Sequence, residues 1–283
     1  MATPVRPALG LLLIALMPPP VPQAHIPTYG SEAATFLGFD TNLYPGDQAL
    51  DALRKTFTFT GYWLNAPPGV KGSASTWLGK RKVIFAKGFG FLVLFNGRRH
   101  SELKSLDKAV SMGKSEGAMA ARLARSEGFP PQTIIFLDQE EGGRLLAEQR
   151  AYLHAWVDHV AAGGYRPGVY ASGIAHHEQW SGTDIITAKD IKDNAGRRDI
   201  TYFVSNDQCP PSPGCVRANP PAPTASGIGF AELWQFAQSP RRKELTSSCA
   251  ATYAPNGNCY AAGESGVLVD LDVATSADPS RGR

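Results

Sequence analysis

Thr133-Ile-Ile-Phe-Leu-Asp-Gln-Glu140 is an apolar run that ends in two carboxylates one residue apart. A short, continuous hydrophobic run of this kind reads as a parallel strand buried on both faces. Side chains alternate along a strand, so Asp138 and Glu140 project from one face near its C-terminal end. That is the end at which α/β barrels keep their chemistry. Two carboxylates this close do not both ionise freely. One takes a raised pKa and the other stays charged, which is the division that acid catalysis needs.

Outward from this strand, short apolar runs alternate with longer polar or helix-period stretches. Candidate strands fall at 35–40, 59–64, 90–95, 133–138, 168–171, 201–205, 232–236 and 267–271. The alternation marks an α/β chain, and eight strands suit a (β/α)8, TIM-like barrel. Helical periodicity is clearest at 47–56, 105–127 and 143–162, the last with Leu146, Tyr152, Leu153 and Trp156 placed to face the sheet. The Pro-rich stretch 208–227 and the Gly-, Ser- and Asn-rich stretch 246–266 predict irregular last crossovers.

A chain of 283 residues, 43% hydrophobic, is long enough for one large domain with a full core. Residues 1–24 carry one basic side chain, Arg6, an apolar stretch over 9–17, prolines and a small residue, Ala24. This reads as a secretory signal peptide. The stretch falls short of the roughly 20 apolar residues that span a bilayer. The expected organisation is a leader at 1–24, a short linker at 25–34, a barrel over 35–276 and a tail at 277–283. The expected location is outside the cytoplasm, secreted or in the cell envelope.

The four cysteines fall in two local pairs, Cys209 with Cys215 and Cys249 with Cys259, each bracketing a loop rich in Pro, Gly, Asn or Ser. In an exported chain these read as short disulfides, although four cysteines permit three connectivities. Neither pair has zinc-ligand spacing or a histidine beside it. A formal charge of +3, with no aromatic-rich basic stretch, argues against nucleic acid as a partner. Lys80-Arg81-Lys82 and Arg241-Arg242-Lys243 read as solvated faces.

With the strands placed, the acids gather. Asp40 ends the first strand, Asp138 and Glu140 the fourth, and Asp270 and Asp272 the eighth. Strands one and eight are neighbours in a closed barrel, so Asp40 and Asp270 or Asp272 would share one rim with Asp138 and Glu140. Tyr62, Asn96, Tyr170, Asn206, Trp234 and Gln235 also end strands. Flat apolar surfaces beside hydrogen-bonding groups are what a sugar-binding cleft requires.

The phrases Gly38-Phe-Asp40, Phe136-Leu-Asp-Gln-Glu140, Arg166-Pro-Gly-Val-Tyr-Ala-Ser172, Leu233-Trp-Gln-Phe236 and Val269-Asp-Leu-Asp272 resemble the glycoside hydrolase family 25 lysozymes. The chain looks closer still to the exported glycoside-hydrolase-like proteins of unknown function that share that barrel. The resemblance runs over about 36–274 and implies a barrel acting on an amino-sugar polymer such as peptidoglycan. It implies Glu140 as general acid, Asp138 as its stabilising partner, and Asp40 and Asp270 holding charge and hydrogen bonds around them. Glycosidic cleavage needs a proton donor at the leaving oxygen and negative charge near the oxocarbenium-like centre. The lysozymes' second-strand Lys-Ala-Thr-Glu-Gly is replaced here by Gly61-Tyr-Trp-Leu-Asn65. Two functions stay open: a glycosidase, and a catalytically silent barrel that binds glycans.

No cofactor and no metal are expected, and the chain reads as a monomer with a polysaccharide partner. His176-His177-Glu178 reads as surface. His154 and His159 lie five apart, which is not the helical zinc spacing. Glu141 reads as a charge at a helix N-terminus. Ser172 lacks the Gly-x-Ser-x-Gly elbow of a serine hydrolase.

Overall fold

The computed structural model describes residues 34–72, 75–208, 220–246, 253–261 and 264–283, with Met1, Ala2 and Pro4. The chain divides into two compact units, Met1–Glu32 and Ala33–Arg283, and the second carries the strands and helices of the described residues. The leader beyond those three residues, Cys209, Cys215 and Cys249 lie outside the described residues. Cys259 is described and fully buried.

Among the described residues twelve strands and six α-helices follow in order: β1 (Phe36–Asp40), α1 (Ala49–Leu53), β2 (Phe59–Trp63), α2 (Arg81–Ala86), β3 (Gly90–Asn96), α3 (His100–Leu103), α4 (Leu106–Ser126) and β4 (Ile134–Asp138). Then come α5 (Ala147–Ala162), β5 (Arg166–Ser172), β6 (Ala175–Glu178), β7 (Thr183–Ile186), α6 (Thr187–Asn194), β8 (Thr201–Ser205), β9 (Leu233–Ala237), β10 (Tyr260–Ala261), β11 (Glu264–Leu268) and β12 (Asp270–Ala274). Eight of the strands close into a barrel in the order β1-β12-β9-β8-β5-β4-β3-β2, while β6-β7 and β10-β11 form separate hairpins. The fold is a mixed α/β barrel.

Its last strand departs from a fully parallel barrel, because β12 runs antiparallel to both β1 and β9. A parallel return requires a crossover to the far end of the sheet. Here the chain leaving β9 makes the β10-β11 hairpin and re-enters directly. The strand expected at 267–271 is therefore divided between β11 and β12, and Asp270 stands at the beginning of its strand rather than near the end. The reversed direction still puts it directly opposite Asp40.

The barrel interior is filled by pairing glycine with large rings. A Cβ on Gly38 would lie 2.2 Å from the ring of Phe59, so only glycine leaves that ring its place. Outside the barrel, α4 begins at Ser105, whose hydroxyl accepts the Lys108 N–H at 3.3 Å. Gly113 and Gly117 let α4 lie against α5, since Cβ atoms there would meet the carbonyls of Tyr152 at 2.3 Å and Trp156 at 2.5 Å. Tyr152, Leu153 and Trp156 are buried as the periodicity requires, whereas Leu146 precedes α5 and is 49% exposed.

Residues 277–283, expected as a trailing tail, are packed beneath the barrel. Ser280 Oγ accepts the Val93 N–H at 2.8 Å, and its carbonyl accepts the Ile134 N–H at 2.7 Å. These bonds satisfy amides near the starts of β3 and β4 that no neighbouring strand reaches.

Candidate functional site

The strand alternation that fills the lower barrel with rings brings acids to its mouth. Asp40 ends β1 and is 5% exposed; Asp138 ends β4 and is 4% exposed. With the exposed Glu140 and the half-buried Asp270 they line one cleft, beside Trp63, Tyr170 and Gln235. Asp272 lies one interior position below Asp270 and is fully buried. The approach is tight: a Cβ on Gly61 would lie 2.6 Å from the Asp40 Cβ, so the glycine of β2 makes room for the carboxylate.

Gln235 organises one side of the cleft. Its Nε2 donates to Asp40 Oδ2 at 2.8 Å and to Asp270 Oδ2 at 3.5 Å. Its Oε1 accepts from the Tyr170 hydroxyl at 2.7 Å and from Gln238 Nε2 at 2.7 Å. Asp270 Oδ1 also accepts the Ser239 N–H at 2.5 Å. The other side is bare. No N–H or hydroxyl group donates to the buried oxygens of Asp138 or Asp272; their neighbours are other carboxyl groups, Glu140 for Asp138 and Asp40 for Asp272, which can share a hydrogen bond only when one of the pair is protonated.

Burial therefore governs the charges. It pushes Asp40 up to about 6, against the hydrogen bond from Gln235 that pulls the other way, with the Glu140 charge adding to the rise. Asp138 is raised well above the carboxylate range, first by burial and then by the charges of Glu140 and Asp40. Asp270 and Asp272 are raised by burial and next by Asp40. The cleft holds protons at pH values where ordinary carboxylates have lost them.

Four residues expected to bind sugar do other work. Tyr62 points out of the barrel, is fully buried, and donates its hydroxyl to Glu127. Trp234 also points outward and gives its Nε1–H to the Asn206 carbonyl at 2.7 Å. Asn206 in turn holds the Ser226 carbonyl at 2.7 Å. Asn96 bonds the Ala66 carbonyl at 2.9 Å while lining a groove that flanks the cleft and shares Asp138 and Glu140 with it. Tyr62 and Trp234 sit one residue out of phase with the inward faces of their strands, which carry Trp63 and Gln235.

Trp63 was missed in the sequence, together with Phe203 and Gln238, which also line the cleft. The signal for Trp63 was Gly61, which occupies the inward face beside Asp40 and so fixes the phase of β2. Glu141 accepts the His100 N–H at 2.7 Å at the start of α3, as well as Gln149 Nε2 at 2.7 Å in the first turn of α5, so it serves the N-terminal ends of two helices. His177 pairs with Asp184 across the β6-β7 hairpin at 2.8 Å. Among the described residues no group of three or more His, Cys, Asp or Glu is placed to hold a metal ion. Among them, too, no helix is long and apolar enough to cross a membrane.

Residues 75–212 match the family described as Rv2525c-like, glycoside hydrolase-like domain. That span contains Asp138, Glu140 and Tyr170 and leaves out Asp40, Gln235 and Asp270. No curated protein matches the chain. Solved structures similar to it include an uncharacterised protein of B. stearothermophilus, 20% identical over 84% of this chain and 95% of that one, with a TM-score of 0.47. The Mycobacterium tuberculosis Tat-secreted protein Rv2525c, in complex with L-tartrate, is 14% identical over 85% of this chain and 95% of its own, with a TM-score of 0.49. A sugar phosphate isomerase/epimerase of Parabacteroides distasonis is 10% identical over 62% and 66%, with a TM-score of 0.44.

Proposed function

We propose that the protein is an exported glycoside hydrolase that cleaves an amino-sugar polymer such as peptidoglycan by carboxylate acid catalysis. The observation that carries this reading is the contrast within one strand end: Asp138 is buried against Glu140 and its pKa is raised, while Glu140, two residues on, is exposed in the same cleft. Glu140 is reachable by a glycosidic oxygen and is assigned as the proton donor. Asp138 stands behind it, where its proton and its charge respond to that of Glu140. Asp40, fixed by Gln235 and ionised above a pH of about 6, supplies negative potential where an oxocarbenium-like centre would form, with Asp270 beside it.

The matched family description supports a glycan as the partner. The leader-like sequence of residues 1–24 supports export, and with it disulfides within Cys209/Cys215 and Cys249/Cys259 in an oxidising compartment. In this reading the barrel spans 35–276 and acts as a monomer.

The test is release of new reducing ends from peptidoglycan and chitin-type oligomers by the purified protein. Wild type should release them and Glu140→Gln should not, because an amide cannot donate the leaving-group proton. Unchanged release by Glu140→Gln would remove Glu140 from the acid's role. A catalytically silent glycan-binding barrel is the second reading, favoured by one observation: Gln235 already occupies the inner side of both Asp40 and Asp270 with hydrogen bonds. Binding of the same oligomers with no reducing ends from wild type would select it.

A further inference from the structure

The cleft has an unusual charge balance. Among the described residues four carboxylates line it, and no lysine, arginine or histidine does. Arg98, in the flanking groove, is committed to Glu116 at 2.6 Å and Glu102 at 2.9 Å. Arg242 is committed to Asp207. Arg99 is exposed and lines the flanking groove but not the cleft itself. The groups that face the cleft or lie directly beneath it, Asp40, Asp138, Glu140, Asp270, Asp272 and Tyr170, are all acidic.

Buried carboxyl oxygens are costly unless donors reach them, and those of Asp138, at the cleft wall, have no N–H or hydroxyl donor, only the Glu140 carboxyl beside them. Trp63, 4% exposed and also in the wall, has an Nε1–H with no partner. The cleft therefore asks for a ligand with several donors, positive charge and at least one oxygen acceptor. A primary ammonium supplies three donors and no acceptor, and a sugar ring supplies the hydroxyl oxygens. The faces of Trp63, Tyr170 and Phe203 favour both the cation and the apolar side of the ring. A metal ion does not meet the geometry, because no group of three ligands is placed to hold one among the described residues.

We propose that the cleft recognises a hexosamine whose amine is free, so that the glycan it takes is de-N-acetylated at the unit bound beside Asp138. The inference rests on the glycan reading above and names the substrate class within it. An N-acetyl group replaces three charged donors with one neutral donor and adds a carbonyl acceptor where the protein offers mainly acceptors. Binding the ammonium also displaces the protons that the crowded carboxylates hold between them, so association releases protons to the buffer.

The test is calorimetric titration of the full chain at pH 6 in two buffers of different ionisation enthalpy. The probes are a glucosamine oligomer, the N-acetylglucosamine oligomer of equal length, and cadaverine. The glucosamine oligomer should bind about tenfold or more tightly than the acetylated one, with net proton release. Asp138→Asn should weaken it by about tenfold, and Asp270→Asn provides the same comparison if the first variant fails to fold. Equal or tighter binding of the acetylated oligomer, no binding of either oligomer, or cadaverine binding as tightly as the glucosamine oligomer would each overturn the proposal. Reducing ends from an acetylated oligomer that binds better would sink this inference and keep the hydrolase. Proton-releasing binding of the free amine without cleavage would keep this inference and sink the hydrolase.

Discussion

Asp40 and Asp270 stand directly opposite each other on the antiparallel strands β1 and β12, and the single amide of Gln235 reaches both. Like charges directly opposed across strands are destabilising. Here the pair lies beside two further buried carboxyl groups, Asp138 and Asp272, to which no N–H or hydroxyl group donates. A fold selected only for stability would not collect these groups. Their clustering marks the mouth of the barrel as a place where stability is given up for chemistry or binding.

The first prediction concerns pH. The folded-state pKa of Asp40 lies near 6, above its ordinary value of 3.8, so the folded chain holds this proton more tightly than the unfolded chain does. Its contribution to stability is full below about 3.8 and is lost as pH rises through 6. Asp40→Asn should therefore stabilise the protein at pH 7 by up to about 3 kcal/mol, taking 1.36 kcal/mol per pKa unit. The gap between variant and wild type, read from urea midpoints, should open between pH 4 and 6 and close below pH 3.8. A gap of the same size at pH 3.5 would exclude the electrostatic origin.

The second prediction concerns the base of the barrel. Ser280 Oγ is the acceptor for the buried Val93 N–H. Ser280→Ala leaves that amide unpaired, at a cost of about 1–3 kcal/mol in unfolding free energy. Glycan binding should not change, because Ser280 lies at the opposite end of the strands from the cleft. Stability equal to wild type would show that residues 277–283 do not brace β3.

The third prediction concerns Gly61. Alanine there would bring a Cβ to 2.6 Å from the Asp40 Cβ, and both atoms belong to strands that cannot easily yield. Gly61→Ala should displace Asp40 from Gln235 and lower cleavage or binding by about a hundredfold, the scale of a misplacement near 1 Å. The circular dichroism spectrum should keep its barrel signature. Full activity in a folded Gly61→Ala chain would remove Asp40 from the site.

The strands were legible because their signal is local: runs such as Thr201-Tyr-Phe-Val-Ser205 are apolar, β-branched or aromatic and short. The positions of Asp40, Asp138 and Glu140 followed from strand ends plus the closure of the barrel. The direction of β12 was not legible, since a strand's apolar pattern is the same read either way and only the path between β9 and β12 decides it. The phase of β2 and β9 was also hidden. Both strands are buried on both faces, so Tyr62 and Trp63, or Trp234 and Gln235, differ in direction without differing in burial.

That phase gives the last prediction, because the adjacent aromatic residues of β2 serve opposite sides of the barrel wall. Tyr62 packs outward among Trp77, Phe91 and Phe129, and its hydroxyl shares Glu127 with the Gly79 N–H. Trp63 lines the cleft, and its Nε1–H has no protein partner. Tyr62→Phe removes one hydrogen bond to a charged group and should cost about 1.5–3 kcal/mol of stability while leaving oligosaccharide affinity unchanged. Trp63→Phe keeps an apolar ring but loses the donor and part of the stacking face, and should weaken oligosaccharide binding by about tenfold with a smaller loss of stability. Urea unfolding and oligosaccharide titration on the same two variants separate the roles. If Tyr62→Phe weakened binding while Trp63→Phe did not, the inward face of β2 would be the other one, and the cleft would have to be redrawn around Tyr62.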